Sequence, residues 1–131
     1  MIYRDIIEIP TEGNKFYDIT KEINSVIQQC DLKDGLCNIF LHGTTAGLMI
    51  NENDKMLFED MRHFFESSAP EGRMYNHPEN AQSHIKASMI NQSLSIPVAD
   101  NRLVLGAWQS ILLWEFDVVN RQRKIIVTLS D

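Results

Sequence analysis

Small hydroxyl side chains and a histidine follow an apolar segment near the middle of the chain. Residues 36–53 begin with apolar side chains at alternate positions, which predicts a buried strand. The pattern then changes at His42 and Gly43 into the pair Thr44 and Thr45. Hydroxyls and free backbone N–H groups can hold phosphate oxygens. The segment therefore predicts polar chemistry held by a rigid strand, with Thr44 and Thr45 as candidate phosphate-binding residues.

Two further histidines, a carboxylate and a lysine extend the candidate site. His77 and His84 are seven residues apart, across a predicted boundary between a loop and a helix. A neutral imidazole can ligate a metal ion or move a proton near pH 7, and a carboxylate can act as a ligand or a base. We assign catalytic roles to His77, His84 and Glu52, and phosphate binding to Lys86. The candidate metal ligands are His77, His84 and His42.

The spacing of these histidines leaves a second interpretation open. The sequence contains no HxH or HExxH pattern, so the residues alone favour His77 and His84 as solvated residues of a loop and a helix end over a metal site. If a helix begins near Asn80, then Asn80, His84 and Ser88 share one face, while Ile85 and Met89 lie on another face that is expected to enter the core. Ser88 is therefore a further candidate phosphate-binding residue.

Hydrophobic periodicity predicts an α+β fold with a mostly antiparallel or mixed, sandwich-like sheet and two to three helices. The first helix is expected to have Thr20 as its N-cap and to exit at Gly35, and the second to cover residues 54–67. No repeat or linker interrupts the chain, which predicts one domain over residues 1–131. Further strands are predicted over residues 2–9, 15–19, 94–98, 102–117 and 124–129.

The segment 102–117 is apolar on both faces when it is read as one long strand. Because the chain offers few helices, we expect a neighbouring subunit to cover part of this surface. Glu115 lies on one of these faces, where an unpaired carboxylate would be costly. Arg121, Arg123 or a ligand is expected to pair with it, either as an interface ion pair or as part of a binding site.

Charge and composition exclude several classes of protein. The 131 residues carry a net charge of −6, which argues against a general nucleic-acid-binding role. A small anion needs only a local group of cations, for which Lys86, Arg121 and Arg123 are available. No apolar run reaches about 18 residues, so we expect no membrane partner, no signal peptide and a cytoplasmic location. Cys30 and Cys37 are expected to be reduced core residues.

Four ordered blocks of the sequence resemble the YjbQ-like family. They are TTAGLMINEN at 44–53, HIKAS at 84–88, PVAD at 97–100 and RLVLGAWQSILLWEFD at 102–117. The resemblance implies the YjbQ-like α+β fold and a homotrimer with sites near the subunit contacts. It also implies a secondary thiamine-phosphate synthase activity, which joins a pyrimidine diphosphate to a thiazole phosphate and releases pyrophosphate. Such a reaction needs an anion-binding site and a divalent metal ion, Zn or Mg, to neutralise the diphosphate.

The resemblance suggests a division of roles among the candidate residues. His77 and His84 would bind the metal or serve as acid and base, and Glu52 would orient one of them.

Two alternatives from other classes remain open. One is a metal-dependent phosphohydrolase, and the other is a non-catalytic trimeric protein that binds a small phosphorylated metabolite. The candidate phosphate-binding residues are Thr44, Thr45, Lys86, Ser88, Arg121 and Arg123.

Gly43 departs from the family pattern, in which histidine usually precedes the Thr-Thr-Ala-Gly segment. Either the strand ends before His42 and the freedom of Gly43 returns that imidazole to the site, or the chain has lost one family histidine. We favour the first alternative. Asn91 and Asn101 stand where the family more often has glycine, and both are expected to preserve their turns because asparagine tolerates positive φ.

Overall fold

The computed structural model describes residues 1–131, which form eight strands and three helices. The strands make up two antiparallel sheets. The strands are β1 (Ile2–Thr11), β2 (Lys15–Asp18), β3 (Gly35–His42), β4 (Ala46–Asn51), β5 (Ser93–Ala99), β6 (Arg102–Leu103), β7 (Ser110–Glu115) and β8 (Arg121–Ser130). The helices are α1 (Thr20–Cys30), α2 (Lys55–Ser68) and α3 (Ala81–Ser88). One sheet has the order β1-β8-β3-β5-β6, and the other has the order β2-β7-β4. The predicted α+β class is confirmed.

The main core fills the space between the two sheets and α1. Cys37, Ile39 and Leu41 of β3 are buried at alternate positions, as the sequence predicted. From the second sheet, Ile111 and Leu113 of β7 enter the same core. Burial raises the pKa of the Cys37 thiol to about 12, so this cysteine is a protonated core residue.

The segment 102–117 does not form one long strand, which corrects the prediction. β6 ends at Leu103, residues 104–109 form a turn, and β7 begins at Ser110. The side chain of Gln109 closes the turn, since its Oε1 accepts a hydrogen bond from the Gly106 N–H at 2.7 Å. Alternating apolar residues on either side of this turn gave the appearance of one continuous strand.

Both faces of β7 are buried within the chain, so this strand needs no cover from a neighbouring subunit. Val104 and Trp108, earlier in the segment 102–117, stay 51% and 77% exposed. The second face of β7 contributes Leu112 and Trp114 to a smaller cluster, together with Phe65 of α2 and Ala87 of α3. The ring of Trp114 stacks on that of Phe58 with 5.0 Å between the centroids. Helices α2 and α3 therefore provide the cover that the sequence had assigned to another subunit.

The ends of α1 also differ from the prediction. Thr20 is the first helical residue rather than the N-cap, and its N–H and hydroxyl both donate to Asp18 Oδ1. The helix ends at Cys30, followed by Asp31 with φ of 59°. Gly35 therefore does not end the helix but begins β3.

Helix α3 occupies the predicted position but buries a different face. Ile85 and Met89 remain 39% and 42% exposed, so the expectation that they enter the core is wrong. Ser83, Lys86 and Ala87 are buried instead. Small side chains let α3 approach the sheet closely, and the larger apolar ones face outward.

Only one of the two asparagines that replace a family glycine adopts positive φ. Asn101 has φ of 62°, in the turn between β5 and β6, as predicted. Asn91 does not have positive φ. It forms two backbone hydrogen bonds with Leu48 instead.

The outer face of the five-stranded sheet is uncovered and carries apolar residues among charged ones such as Arg4 and Lys124. The strand register places Ile6, Ile126 and Phe40 in one row across β1, β8 and β3. Ile6 and Phe40 are 55% and 41% exposed, and Leu36 and Ile2 are exposed on the same face. We call these five residues the outer sheet face.

None of the three helices is both long and apolar enough to cross a membrane.

Candidate functional site

A surface cleft between the β3–β4 connection and α3 brings several candidate residues together. It has two parts, which share residues 43–44 and Gln92. His84 and Ser88 line one part, of about 340 Å³, and His42 lines the other, of about 480 Å³. We call the two parts together the histidine cleft. It joins the threonine segment to α3, as the candidate site requires.

His77 and His84 lie side by side at the start of α3. Their ring centroids are 5.1 Å apart and the rings are nearly perpendicular, at 79°. His77 Nε2 is 3.0 Å from Asn80 Oδ1, which orients the His77 ring. His77 is exposed and His84 is half-buried. Two imidazoles at this separation can act on one bound molecule.

The side chains of one chain do not complete a metal site. A zinc ion in a protein takes three or four protein ligands, and His77 and His84 supply two. No group of three His, Cys, Asp or Glu side chains lies close enough to hold a metal ion. The ligand set is therefore incomplete within one chain, and we derive no metal-dependent step from it.

His42 does not return to the site in the way that we favoured. It is the last residue of β3, in register with Lys124 of β8, so the strand does not end before it. Gly43 lacks positive φ. Because neighbouring side chains on a strand point to opposite faces, His42 lies opposite the buried Leu41, on the side of the outer sheet face.

A buried ion pair joins the two sheets beside the histidine cleft. Arg123 donates from Nε to Glu115 Oε1 at 2.7 Å and from Nη2 to Glu115 Oε2 at 2.6 Å. The two side chains are 8% and 0% exposed. Thr11 donates from its hydroxyl to Glu115 Oε1 at 2.6 Å. The expectation that an arginine pairs with Glu115 is confirmed.

Thr45 and Asp117 extend this pair into a network. Arg123 Nη2 donates to Thr45 Oγ1 at 2.7 Å, and that hydroxyl donates to Asp117 Oδ2 at 3.0 Å. Arg121 donates to the same Asp117 oxygen from Nε and Nη2, at 3.1 and 2.8 Å. The Thr45 hydroxyl is thus used inside the protein, whereas Thr44 is exposed in the cleft.

The network keeps Asp117 ionised. Burial would raise the pKa of this carboxyl, but hydrogen bonds from Arg121, the Val118 N–H and Thr45 together hold the pKa below its ordinary value. Two carboxylates therefore balance the two guanidinium groups of Arg121 and Arg123.

One nitrogen of Arg123 has no acceptor within the chain. Nε and Nη2 make all of its hydrogen bonds, and Nη1 makes none. A Cβ atom on Gly43 would lie 2.8 Å from Nη1. Gly43 lines the histidine cleft, so the guanidinium lies directly behind one residue of the cleft lining.

Two candidate residues lie away from the cleft. Lys86 is buried and donates to Glu66 Oε2 at 2.9 Å. It lies about 200° around α3 from His84, because the two are two residues apart. Glu52 follows β4, whose six residues separate it from Thr45 by about 20 Å. Within one chain, Glu52 therefore does not orient His77 or His84.

Sequence reasoning missed Asp117 and Gln92. A signal for Asp117 existed, because it follows Glu115 by two residues and so shares its strand face opposite the two arginines. Gln92 Nε2 donates to the carbonyls of Ala46 and Ala87 at 3.1 and 3.2 Å, which ties β4 to α3 beside the cleft. No pattern in the sequence marks this glutamine.

The variant Arg123→Met is expected to lower the free energy of unfolding by about 3–5 kcal/mol, because Glu115 would stay buried without its cation. Urea denaturation measures this loss. Arg102→Met, which removes an exposed guanidinium, should change it by less than about 0.5 kcal/mol. The double variant Arg123→Met/Glu115→Leu should recover part of the loss, and an undiminished loss in the double variant would contradict the assignment.

Acid is expected to destabilise the protein partly through Asp117. Its pKa is lowered in the folded state. Its contribution to the free energy of unfolding is therefore complete above the ordinary pKa of about 4 and is lost as the pH falls through the lowered pKa. Arg121→Gln should weaken this dependence, because it removes two hydrogen bonds to the carboxylate. Thermal unfolding midpoints from pH 7 to 2 measure it, with Lys124→Gln as the control. Identical pH profiles for the parent and Arg121→Gln would exclude the effect.

Comparisons with known proteins place these features in one family. The sequence pattern described as UPF0047 protein YjbQ-like matches residues 5–131. A UPF0047 protein of Synechocystis is 35% identical, over 98% of this chain and 91% of that protein. The UPF0047 protein YjbQ of Escherichia coli O157:H7 is 34% identical, over 98% of each.

A solved structure supports the same assignment. It is a YbjQ-like protein of unknown function from Sulfolobus solfataricus P2, with a TM-score of 0.92 and 29% identity. The similarity covers 98% of this chain and 96% of that one. The family match spans the histidine cleft and the buried network alike. This chain therefore belongs to the YjbQ-like UPF0047 family.

Proposed function

We propose that the chain binds a small phosphorylated metabolite in the histidine cleft and has a secondary thiamine-phosphate synthase-type transferase activity. The observation that carries the proposal is the position of Arg123 Nη1 directly behind Gly43, which lines the cleft together with Thr44 and His84. A fixed guanidinium and a hydroxyl are the groups that hold phosphate oxygens. An adjacent imidazole can supply a proton near pH 7.

The proposed transfer needs little covalent chemistry from the protein. The carbon–oxygen bond to the diphosphate breaks, the diphosphate leaves with the electron pair, and the thiazole nitrogen forms the new carbon–nitrogen bond. Arg123 and Thr44 stabilise the negative charge that grows on the departing oxygens. His84 in its protonated form donates a proton to the diphosphate, and His77 holds the neighbouring position. Glu52 and Lys86 have no part in this step within one chain.

The first test is thiamine-phosphate formation by the purified protein, with and without added Zn²⁺ or Mg²⁺. His84→Ala is expected to lose about 100-fold or more of the rate, because it removes the general acid. His63→Ala is the matched control, since His63 is an exposed residue of α2 and should leave the rate unchanged. Equal trace activity in all three proteins would reject the synthase.

Gly43→Ala separates binding from chemistry in the same assay. Its added methyl group would lie 2.8 Å from Arg123 Nη1 and displace that nitrogen, so pyrophosphate should bind more weakly while the imidazoles stay in place. Phosphate release without the thiazole partner would instead identify a phosphohydrolase. Saturable pyrophosphate binding without turnover of either kind would identify a binding protein.

We also propose that the chain forms a homotrimer through the outer sheet face. Ile6, Ile126 and Phe40 form an exposed apolar row, and burial of such a row is favourable. His42 follows Phe40 by two residues on β3, so a neighbouring subunit would lie beside the histidine cleft. The neighbour could then supply the metal ligands that one chain lacks. The number three rests on the family resemblance.

Size-exclusion chromatography with light scattering tests this assembly. The parent is expected at three times the 15.1 kDa chain mass, and Phe40→Glu should dissociate it because a carboxylate would be buried in the interface. Val119→Glu, at an exposed apolar residue in the turn before β8, is the control and should leave the trimer intact. A monomeric parent would reject the proposal.

A further inference from the structure

Strand β1 lies at one end of the five-stranded sheet, so one of its two edges pairs with no other strand. Its register with β8 places Ile2 opposite Ser130, and the Asp131 N–H donates to the Met1 carbonyl at 3.4 Å. Backbone hydrogen bonds in an antiparallel pair join every second residue, so the odd-numbered residues of β1 bond to β8. The even-numbered residues direct their N–H and C=O groups away from the sheet. We call them the open edge of β1: Ile2, Arg4, Ile6, Glu8 and Pro10.

The open edge of β1 is complementary to a second copy of itself. Unpaired N–H and C=O groups attract another strand, and β1 has ten residues. Two β1 strands can pair antiparallel about a two-fold axis with Ile6 opposite itself. Arg4 of each copy then lies opposite Glu8 of the other, which is a favourable cross-strand pair. Neither residue forms a salt bridge within its own chain, so both are available for this contact.

Asp5 occupies the hydrogen-bond donor at the centre of that pairing. Its Oδ1 accepts a hydrogen bond from the Ile6 N–H at 2.8 Å. On the two-fold axis, the Ile6 N–H of each copy would have to donate to the Ile6 carbonyl of the other. Each chain therefore has to break its own Asp5–Ile6 hydrogen bond before the central pair can form. Because the acceptor is a carboxylate, exchanging it for a neutral carbonyl is unfavourable.

Pro10 removes a donor near the end of the same edge. Proline has no N–H, and within sheets it is confined to positions that face away from a neighbouring strand. In the pairing centred on Ile6, Pro10 lies opposite Ile2 of the other copy and can accept a hydrogen bond but cannot donate one. With the Ile6 N–H also in use, the uninterrupted part of the edge spans residues 2–4. That is shorter than a typical strand of about five to six residues.

We propose that Asp5 and Pro10 block edge-to-edge pairing of β1 between two copies of this chain. They interrupt the open edge at its centre and near its end, although Arg4 and Glu8 would match across the contact. Association of copies is thereby directed to surfaces other than this edge. Without the two residues, β1 would pair with β1 of a second copy and continue the five-stranded sheet across the contact.

The double variant Asp5→Ala/Pro10→Thr tests the block. It frees the Ile6 N–H and supplies a donor at residue 10, so light scattering should show a mass that rises with concentration to about twice the parent mass or more. Adding Glu8→Arg should restore the parent mass, because like charges would then face each other. Asp60→Ala/Pro78→Thr makes the same two exchanges at exposed residues away from β1, and it should keep the parent mass.

Hydrogen exchange of the parent protein tests the same geometry without a variant. The Ile6 amide should exchange about tenfold or more slowly than the amides of Arg4 and Glu8, after correction for sequence effects, because it alone of the three has an acceptor. Equally slow exchange at Arg4 and Glu8 would show that the edge is already paired, and it would overturn the proposal. So would a double variant Asp5→Ala/Pro10→Thr that keeps the parent mass at every concentration.

Discussion

The Arg123–Glu115 ion pair is the interaction on which the candidate site depends. Glu115 ends β7 in the three-stranded sheet and Arg123 lies on β8 in the five-stranded sheet, so the pair joins the two layers. Neither charge can leave its partner without a large cost, because both are buried. The two hydrogen bonds to Glu115 also fix the plane of the guanidinium and direct Nη1 toward Gly43. A structural constraint thus places a rigid cation directly behind Gly43 in the lining of a surface cleft.

Helix α3 carries His84 on one side, in the histidine cleft, and Lys86 on the other, where it pairs with Glu66 of α2. It has eight residues, too few to be stable alone, and buried polar contacts hold it in place. Ser83 donates from its hydroxyl to the Phe116 carbonyl at 2.6 Å, and Gln92 donates to the carbonyls of Ala87 and Ala46. The positions of His84 and of Lys86 on its two sides therefore follow from these contacts with residue 116 and with β4.

The uncovered outer sheet face lies beside the histidine cleft, because Phe40 belongs to both. In one chain, Phe40 exposes an apolar ring two residues before His42, and His77 and His84 supply an incomplete metal ligand set. The cover for β7 comes from α2 and α3, whereas β1, β8 and β3 expose the outer sheet face. A subunit bound there would adjoin the histidine cleft, so assembly would affect ligand binding.

The sequence alone determined the α+β class and most of the strands and helices, because periodicity acts over short stretches of chain. It also determined that Glu115 needs a partner, because an unpaired buried carboxylate is costly wherever it lies, but it left Arg121, Arg123 and a ligand as alternatives. It did not determine the turn at residues 104–109, which closes when the Gly106 N–H donates a hydrogen bond to the Gln109 side chain. Only the tertiary structure decided which candidates meet. It brought Thr44 to His84, moved Lys86 to the other side of α3 and left Glu52 at the far end of β4, since strand length and helix rotation set distances that residue types do not reveal.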